Sequence, residues 1–486
     1  MRILNQAGRN SSEYARMQHG IGVRPTWEKI VSVEANTHLD SKIKIIGIRA
    51  VLRFSMPAVV LLYCACFQWS CVKWLSPVWG YMGLKYNSPD SMLLLTAYVL
   101  AAGLCVLSPQ KLRRPSQVIY WLLYFTVYIP GMLTPLFAQY SGALSLLLLE
   151  LSLTGGMLLI ALSYRLKLVT VRRYPMSRQL FRTIFFISFA LANVMLLAVF
   201  RNDLRLASLK EVYDVRAGAR GAIEQNPGIG YVSLLLSNVM NPLLIAYGLS
   251  VHRRRLVVIG VLGQVLVYST AAMKSVLLSP LFVIMIYYSV KKDRGGWVPK
   301  FGLLCCAMFF VFTVLVVGHT EGLIFDLASI ILLRSFAIPG AEIAEYHYFF
   351  EHFPHTYMSH LHGVSLLISN PYSMSLGMEI GSFYQGAASN GQIANANADF
   401  FAMDGIAGFG LPGILIMGIV CAAMFWVLDS CARKYPIAFC ASALTGCAIS
   451  LTNSSLFTSF LGGGIMLFML LFIVMPRDLL GEDSAG

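Results

Sequence analysis

The residues best suited to chemistry lie in two polar stretches of an otherwise apolar chain. The first begins Arg201-Asn-Asp-Leu-Arg205 and continues from Lys210 through Tyr213, Arg216 and Arg220. On a helix Arg216 and Arg220, four apart, share a face, with Tyr213 one turn earlier. Two guanidinium forks on one face suit a phosphate or diphosphate, whose oxygens accept paired N–H bonds. Headgroup contact, or pairing with Asp214 and Glu224, accounts for the same residues. Lys274, in the short turn Ala271–Ser275, and Arg334 could complete one cationic pocket.

The second stretch is aromatic and rich in His, Asn and acids. It holds Tyr346, His347, Glu351, His352, His355 and His360, then Glu379 and Tyr384, then Asn395, Asn397, Asp399 and Asp404. Rings stack on sugar faces, while amides and carboxylates bond hydroxyls. An interfacial aromatic belt would have a similar composition. Tyr213, Tyr346, His355, Tyr384, Asn395 and Asn397 are the sugar-contact candidates. Candidates for a general base are His355, His360, His362, Glu345, Asp399 and Asp404. Asp399 and Asp404 could instead cap or orient a helix starting near 408.

Other chemistries lack their residues. There is no Gly-rich loop followed by Lys-Ser/Thr, no His-Glu-x-x-His and no Gly-x-Ser-x-Gly. The histidines around 319–362 match no standard metal spacing, so no metal and no cofactor are expected. The ten cysteines lie in or beside apolar runs and read as small core residues. Glu150, inside an apolar run, reads either as an ion-coupling carboxylate or as a hydrogen bond to a neighbouring helix.

The elements that must position these residues are transmembrane helices. With 57% hydrophobic and 12% charged residues, the chain could not hide its apolar surface in a soluble core, and lipid is the expected solvent. The expected fold is an all-α polytopic membrane protein of about twelve helices, at roughly 54–72, 91–107, 118–138, 141–164, 183–200, 230–249, 256–272, 275–290, 301–319, 408–428, 436–452 and 455–475. With the N-terminus inside, the outside keeps nine of the 37 Lys and Arg: Lys73, Lys85, Arg201, Arg205, Lys210, Arg216, Arg220, Lys274 and Arg334. That bias puts both termini in the cytoplasm. It also makes the five outside cations of the first polar stretch a local violation of the rule, which is where function is expected.

Residues 1–52 form a cytoplasmic N-terminal extension, 53–475 the transmembrane domain and 476–486 a cytoplasmic tail. No cleavable signal peptide is expected, because the first apolar run begins near Ser55 after a basic segment. Two long outer loops, 201–229 and 320–407, carry the polar stretches. The larger is expected to fold as a partly helical cap on the membrane surface between helices 9 and 10, with an interfacial helix at Phe325–Arg334.

Several motifs resemble those of the Wzy-type polymerases of O-antigen and related repeat-unit polysaccharides. They are Arg-x-Phe-x-x-Pro-Gly at Arg334–Gly340, Pro-x-Thr-Tyr at Pro354–Tyr357, Gly-x-x-Ile-Gly-x-x-Tyr at Gly377–Tyr384, and the Asn-Ala-Asn-Ala-Asp run leading to Gly413. Tyr-Asp-x-Arg at Tyr213–Arg216 and Lys274 fit as well. The resemblance covers about 200–420. It implies a glycosyltransferase of the bacterial inner membrane that works at the periplasmic face. Such an enzyme moves a growing glycan from undecaprenyl diphosphate onto a fresh lipid-linked repeat unit. It implies that Arg216, Arg220, Lys274 and Arg334 hold the diphosphate, that His360, Asp399, Asp404 and Arg334 are catalytic, and that a chain-length regulator and a flippase are partners. Nucleic acid is not an expected partner. An O-antigen ligase is the nearest alternative, but ligases carry a His-Asn pair where this chain has Asn395-Ala-Asn397. A lipid-linked oligosaccharide flippase is the alternative from another class.

Overall fold

The computed structural model describes residues 56–201, 226–271, 274–361, 363–385, 395–397 and 400–480. The chain divides into Met1–Phe54, outside the described residues, and Ser55–Gly486. Every regular element among the described residues is a helix, and nine of these helices are long and apolar enough to cross a membrane. In chain order the helices that matter here are α1 Met56–Met82, α2 Ser91–Leu107, α3 Ser116–Ala138, α4 Ala143–Ser163, α5 Arg178–Phe200, α6 Gly228–Ser250, α7 Arg254–Ala271, α8 Lys274–Lys291, α9 Trp297–Val316, α10 Leu323–His352, α11 Leu376–Gln385, α12 Phe401–Phe409, α13 Leu411–Ala432, α14 Ile437–Ala443, α15 Thr445–Leu451 and α16 Leu456–Val474. Among them α2 and α8 are shorter apolar helices. The expected single helix over 436–452 is instead the pair α14 and α15, divided at Leu444.

Proline shapes the long helices in a recurring way. Widened π-turns occupy Cys71–Leu75, Tyr124–Tyr128, Leu236–Met240 and Ser329–Ala337. A proline follows each by two residues: Pro77, Pro130, Pro242 and Pro339. Proline has no N–H for the preceding turn, and its ring collides with the carbonyl four residues back. Widening the turn relieves that collision without ending the helix.

The loops gather at two ends of the bundle. At the first end, Asn87 N–H donates to Phe137 O at 2.9 Å, and Gln139 Nε2 donates to Ser88 O at 2.8 Å. At the second end, Arg114 Nη2 donates to Leu166 O at 2.5 Å, Trp426 Nε1 to Lys167 O at 3.1 Å and Arg173 Nη2 to Met475 O at 2.7 Å. The second end carries Lys111, Arg113, Arg114, Arg165, Lys167, Arg172, Arg173, Arg433, Lys434 and Arg477.

Between the ends an aromatic core joins α1, α3 and α9. Tyr63 and Phe309 meet edge to face at 5.6 Å, and Tyr63 OH donates to Phe125 O at 2.7 Å. Small residues let backbones approach closely. A Cβ on Gly340 would lie 2.6 Å from Pro130 O, so α10 sits directly on the backbone of α3.

Helix α10 is where the fold departs most from expectation. An interfacial helix at Phe325–Arg334 within a surface cap was expected. The structure has one continuous helix from Leu323 to His352, packed into the bundle. Its anchors fall on the first-end halves of its neighbours. Phe325 stacks on Trp79 at 5.9 Å, Phe336 meets Phe309 at 5.3 Å, and Glu351 Oε2 accepts from Ser141 Oγ at 2.5 Å. The helix therefore begins and ends at the first end of the bundle, with its middle set deeper.

Candidate functional site

The chain after α10 reverses sharply at Tyr357 and Met358, whose φ values of 49° and 67° are left-handed. Such backbone costs about 1–2 kcal/mol per residue that is not glycine. It is held by Thr356, whose N–H donates to Ala407 O at 2.8 Å and whose hydroxyl lies 3.0 Å from the same oxygen. The reversal brings His360 back over α12. His360 Nδ1 lies 2.9 Å from Thr356 Oγ1, and Nε2 stands 3.7 Å from Asp404 Oδ1.

Asp404 is buried on α12, and its other oxygen accepts the Leu456 N–H at 2.6 Å, at the first turn of α16. The carboxylate thus caps α16 and not the helix that follows Asp404 in sequence, which capping, one of its two readings, would have served. With the Thr356 hydroxyl donating to Ala407 O, His360 Nδ1 carries a proton and donates to Thr356. Among the described residues His360 Nε2, which is buried, has no hydrogen-bond partner, and neither does the buried Ser455 Oγ, in the residue before Leu456. A gap of 3.7 Å is too long for a direct bond. Both facing atoms are acceptors, so a hydroxyl placed about 2.8 Å from Nε2 would donate its one proton to the imidazole.

His355 stacks on Phe350 at 5.7 Å and faces Gly410 at the α12–α13 junction. Gly410 has φ 69°, and a Cβ there would meet the imidazole at 3.3 Å, so glycine is required on both counts. His355 Nδ1 is buried and has no hydrogen-bond partner among the described residues.

A second cluster surrounds Glu345. Tyr384 OH donates to Glu345 O at 3.1 Å, and the Tyr384 ring lies 5.4 Å from Tyr140 and 6.3 Å from Tyr348. The Glu345 carboxylate is buried, and among the described residues neither oxygen has a hydrogen-bond partner. Burial pushes the Tyr140 phenol up to about 12, with Glu345 adding to the shift, and pushes Tyr384 up for the same reasons. Nearby, His347 Nε2 meets Ser145 Oγ at 2.8 Å, which ties α10 to the start of α4.

The quoted motifs come together here. Tyr346 OH donates to Ala396 O at 3.1 Å, and Ala396 N–H donates to Gly377 O at 2.9 Å. Tyr346 is buried, so it offers no ring face to a ligand and instead positions the 395–397 segment. Asn395 and Asn397 are exposed, and Tyr384 is half-buried. Arg334 is exposed on the widened turn of α10, and among the described residues no ion pair joins it to Asp404 or to any other acid. Tyr213, Arg216, Arg220, His362 and Asp399 lie outside the described residues, as does the side chain of Lys274 at the start of α8. Glu150 is buried, and its carboxylate has no hydrogen-bond partner, so the interhelical bond expected of it is not found among the described residues. Among the described residues no group of three His, Cys, Asp or Glu could hold a metal ion.

Thr356, Ser455, Tyr140 and Tyr348 were not legible as site residues. Thr356 stood inside a quoted motif, but its bond to Ala407 depends on a reversal that the sequence does not signal. Compared with known proteins, no family model, curated protein or solved structure matches this chain.

Proposed function

We propose that this chain is a polysaccharide polymerase, a glycosyltransferase joining oligosaccharide repeat units carried on undecaprenyl diphosphate. The observation that carries the reading is that motif segments far apart in sequence are bonded together at one end of the bundle: 354–357 to Ala407 beside His360 and Asp404, and Gly377 and Tyr346 to the 395–397 segment. That end lies opposite the loops rich in Lys and Arg, which supports a periplasmic site in a bacterial inner membrane, with both termini inside and about twelve spans. Under this reading α10 is a re-entrant element of the periplasmic side.

The acceptor hydroxyl donates to His360 Nε2, with Asp404 Oδ1 on the far side of the ring nitrogen. Its oxygen attacks the anomeric carbon of the donor glycan. The new glycosidic bond forms as the bond from that carbon to the diphosphate oxygen breaks. His360 takes the hydroxyl proton, Asp404 stabilises the resulting imidazolium, and Thr356 holds the ring. Undecaprenyl diphosphate leaves with the bonding electrons, its charge met by Arg216, Arg220, Lys274 and Arg334. The donor is already activated, so no nucleotide is needed. A chain-length regulator and a flippase are the partners this activity calls for.

The test is deletion of the gene in its host and electrophoresis of the surface glycans, with rescue by wild type or His360→Ala. A ladder that collapses to a single repeat, restored by wild type and not by the variant, supports the reading. Polymer retained on the lipid carrier and missing from its final acceptor means a ligase. Repeat units trapped at the cytoplasmic face mean a flippase. An unchanged ladder overturns the reading.

A further inference from the structure

The second end of the bundle carries a cleft that the proposed reaction does not use. It holds about 540 Å³ free of protein atoms, partly open to solvent, between the segment after α4 and the C-terminal turn of α13. Arg173, Arg433 and Lys434 line it, with Thr170, and its walls include Val171 and Ile473. None of the lining residues is acidic. Asp429, the nearest acid in sequence, is turned elsewhere and accepts from Ser116 N–H at 3.1 Å and Ser116 Oγ at 2.7 Å. Among the described residues none of the three cations is in an ion pair.

Arg173 is held in advance of any ligand. Its Nη2 donates to Met475 O at 2.7 Å and to Tyr435 OH, and its guanidinium lies 4.8 Å over the Tyr435 ring. Its Nε is buried and has no hydrogen-bond partner among the described residues. Three like charges converging on one cleft without a counter-charge repel one another, and an anion relieves that repulsion. A fixed guanidinium beside two flexible cations suits the oxygens of a phosphate.

We propose that this cleft binds a phosphate-bearing headgroup, supplied by an anionic lipid. Two observations favour the lipid over free phosphate. The cleft lies at the ends of α4, α13 and α16, which is the level of a bilayer's headgroups. Val171 and Ile473 also give the cations an apolar neighbour that a soluble anion would not need.

The experiment uses the purified full-length chain in neutral detergent, with phosphatidylglycerol, phosphatidylcholine or inorganic phosphate added. Binding is read by native mass spectrometry and by the shift in melting temperature. The variants are Arg433→Gln with Lys434→Gln, both exposed, and the control Arg254→Gln with Arg255→Gln, exposed at the start of α7 away from the cleft. Phosphatidylglycerol is expected to bind and stabilise the wild type more than phosphatidylcholine does. The cleft variant should bind it roughly 10- to 30-fold more weakly, while melting like wild type without lipid. The control should bind like wild type. Equal loss in the control, or no preference between the two lipids, overturns the site. Stabilisation by inorganic phosphate equal to that by phosphatidylglycerol overturns the lipid as its source.

Discussion

His360 Nε2 and Asp404 Oδ1 face each other across 3.7 Å with no hydrogen bond between them. One side chain arrives on a left-handed reversal and the other from a buried helix, so the gap is set by two independent elements. The two oxygens of Asp404 have separate tasks, which makes charge and capping separable by substitution. Asp404→Asn keeps an oxygen for the Leu456 N–H and removes the charge. It is expected to lower polymer formation by about 10²–10⁴ with little change in melting temperature. Asp404→Ala also strips the cap and should cost a further ~1–3 kcal/mol of stability. Ladder intensity and thermal melting of the purified variants check both arms. An active Asp404→Asn protein would remove the pair from the mechanism.

Thr356 acts through His360 and should behave as a positioning residue. Thr356→Val removes the hydroxyl and nearly preserves shape, so the ring loses its Nδ1 partner. Activity is expected to fall by roughly 10–100-fold, by analogy with the loss of other orienting contacts. Thr356→Ser should restore most of it. A serine variant as poor as valine would show that packing, not the hydroxyl, matters there.

Gly340→Ala tests the seat of α10 on α3. The added Cβ would meet Pro130 O at 2.6 Å and Thr134 Oγ1 at 2.7 Å, and the first of these is backbone that cannot rotate away. Overpacking of this kind costs about 1–3 kcal/mol. Thermal melting should register the loss, and a variant as stable as wild type would mean that the two helices lie farther apart than described.

Alkaline pH should reveal the tyrosine cluster at the first end. Tyr140 has a folded pKa near 12 against an ordinary value of 10.0, because burial disfavours the phenolate. The raised value contributes stability that is fully present below pH 10 and is lost as pH rises toward 12. Tyr140→Phe should match wild type at pH 8 and fall less steeply between pH 10 and 12. Melting curves across that range decide it, and parallel curves would remove Tyr140 from the effect.

Much of the bundle was legible because lipid demands long apolar runs. The expected spans 118–138, 141–164, 230–249 and 301–319 correspond to α3 Ser116–Ala138, α4 Ala143–Ser163, α6 Gly228–Ser250 and α9 Trp297–Val316. Helix α10 was not read as one, because Arg334, Glu342, Glu345 and His347 interrupt its apolar pattern. Packing compensates: Glu342, Glu345 and His347 are buried, and Arg334 stays exposed. His360 and Asp404 were both legible as candidates, but their pairing was not. It depends on the left-handed turn at Tyr357–Met358, two residue types with no preference for that conformation. The capping of α16 by Asp404 was hidden for a related reason, since its partner Leu456 is remote in sequence and donates through its backbone.

The widened turns ahead of Pro77, Pro130, Pro242 and Pro339 also set the phase of each helix. One residue of α-helix advances the azimuth by about 100°, so each extra residue rotates everything downstream by roughly that angle. In α10 the turn at Ser329–Ala337, which carries Arg334, separates Leu323–Ala328 from the half that carries Gly340, Glu345 and His347. The two halves therefore keep independent azimuths, as two dials on one shaft. Removing a single residue from that turn would leave the composition almost unchanged and swing Gly340 off Pro130 and His347 off Ser145 together.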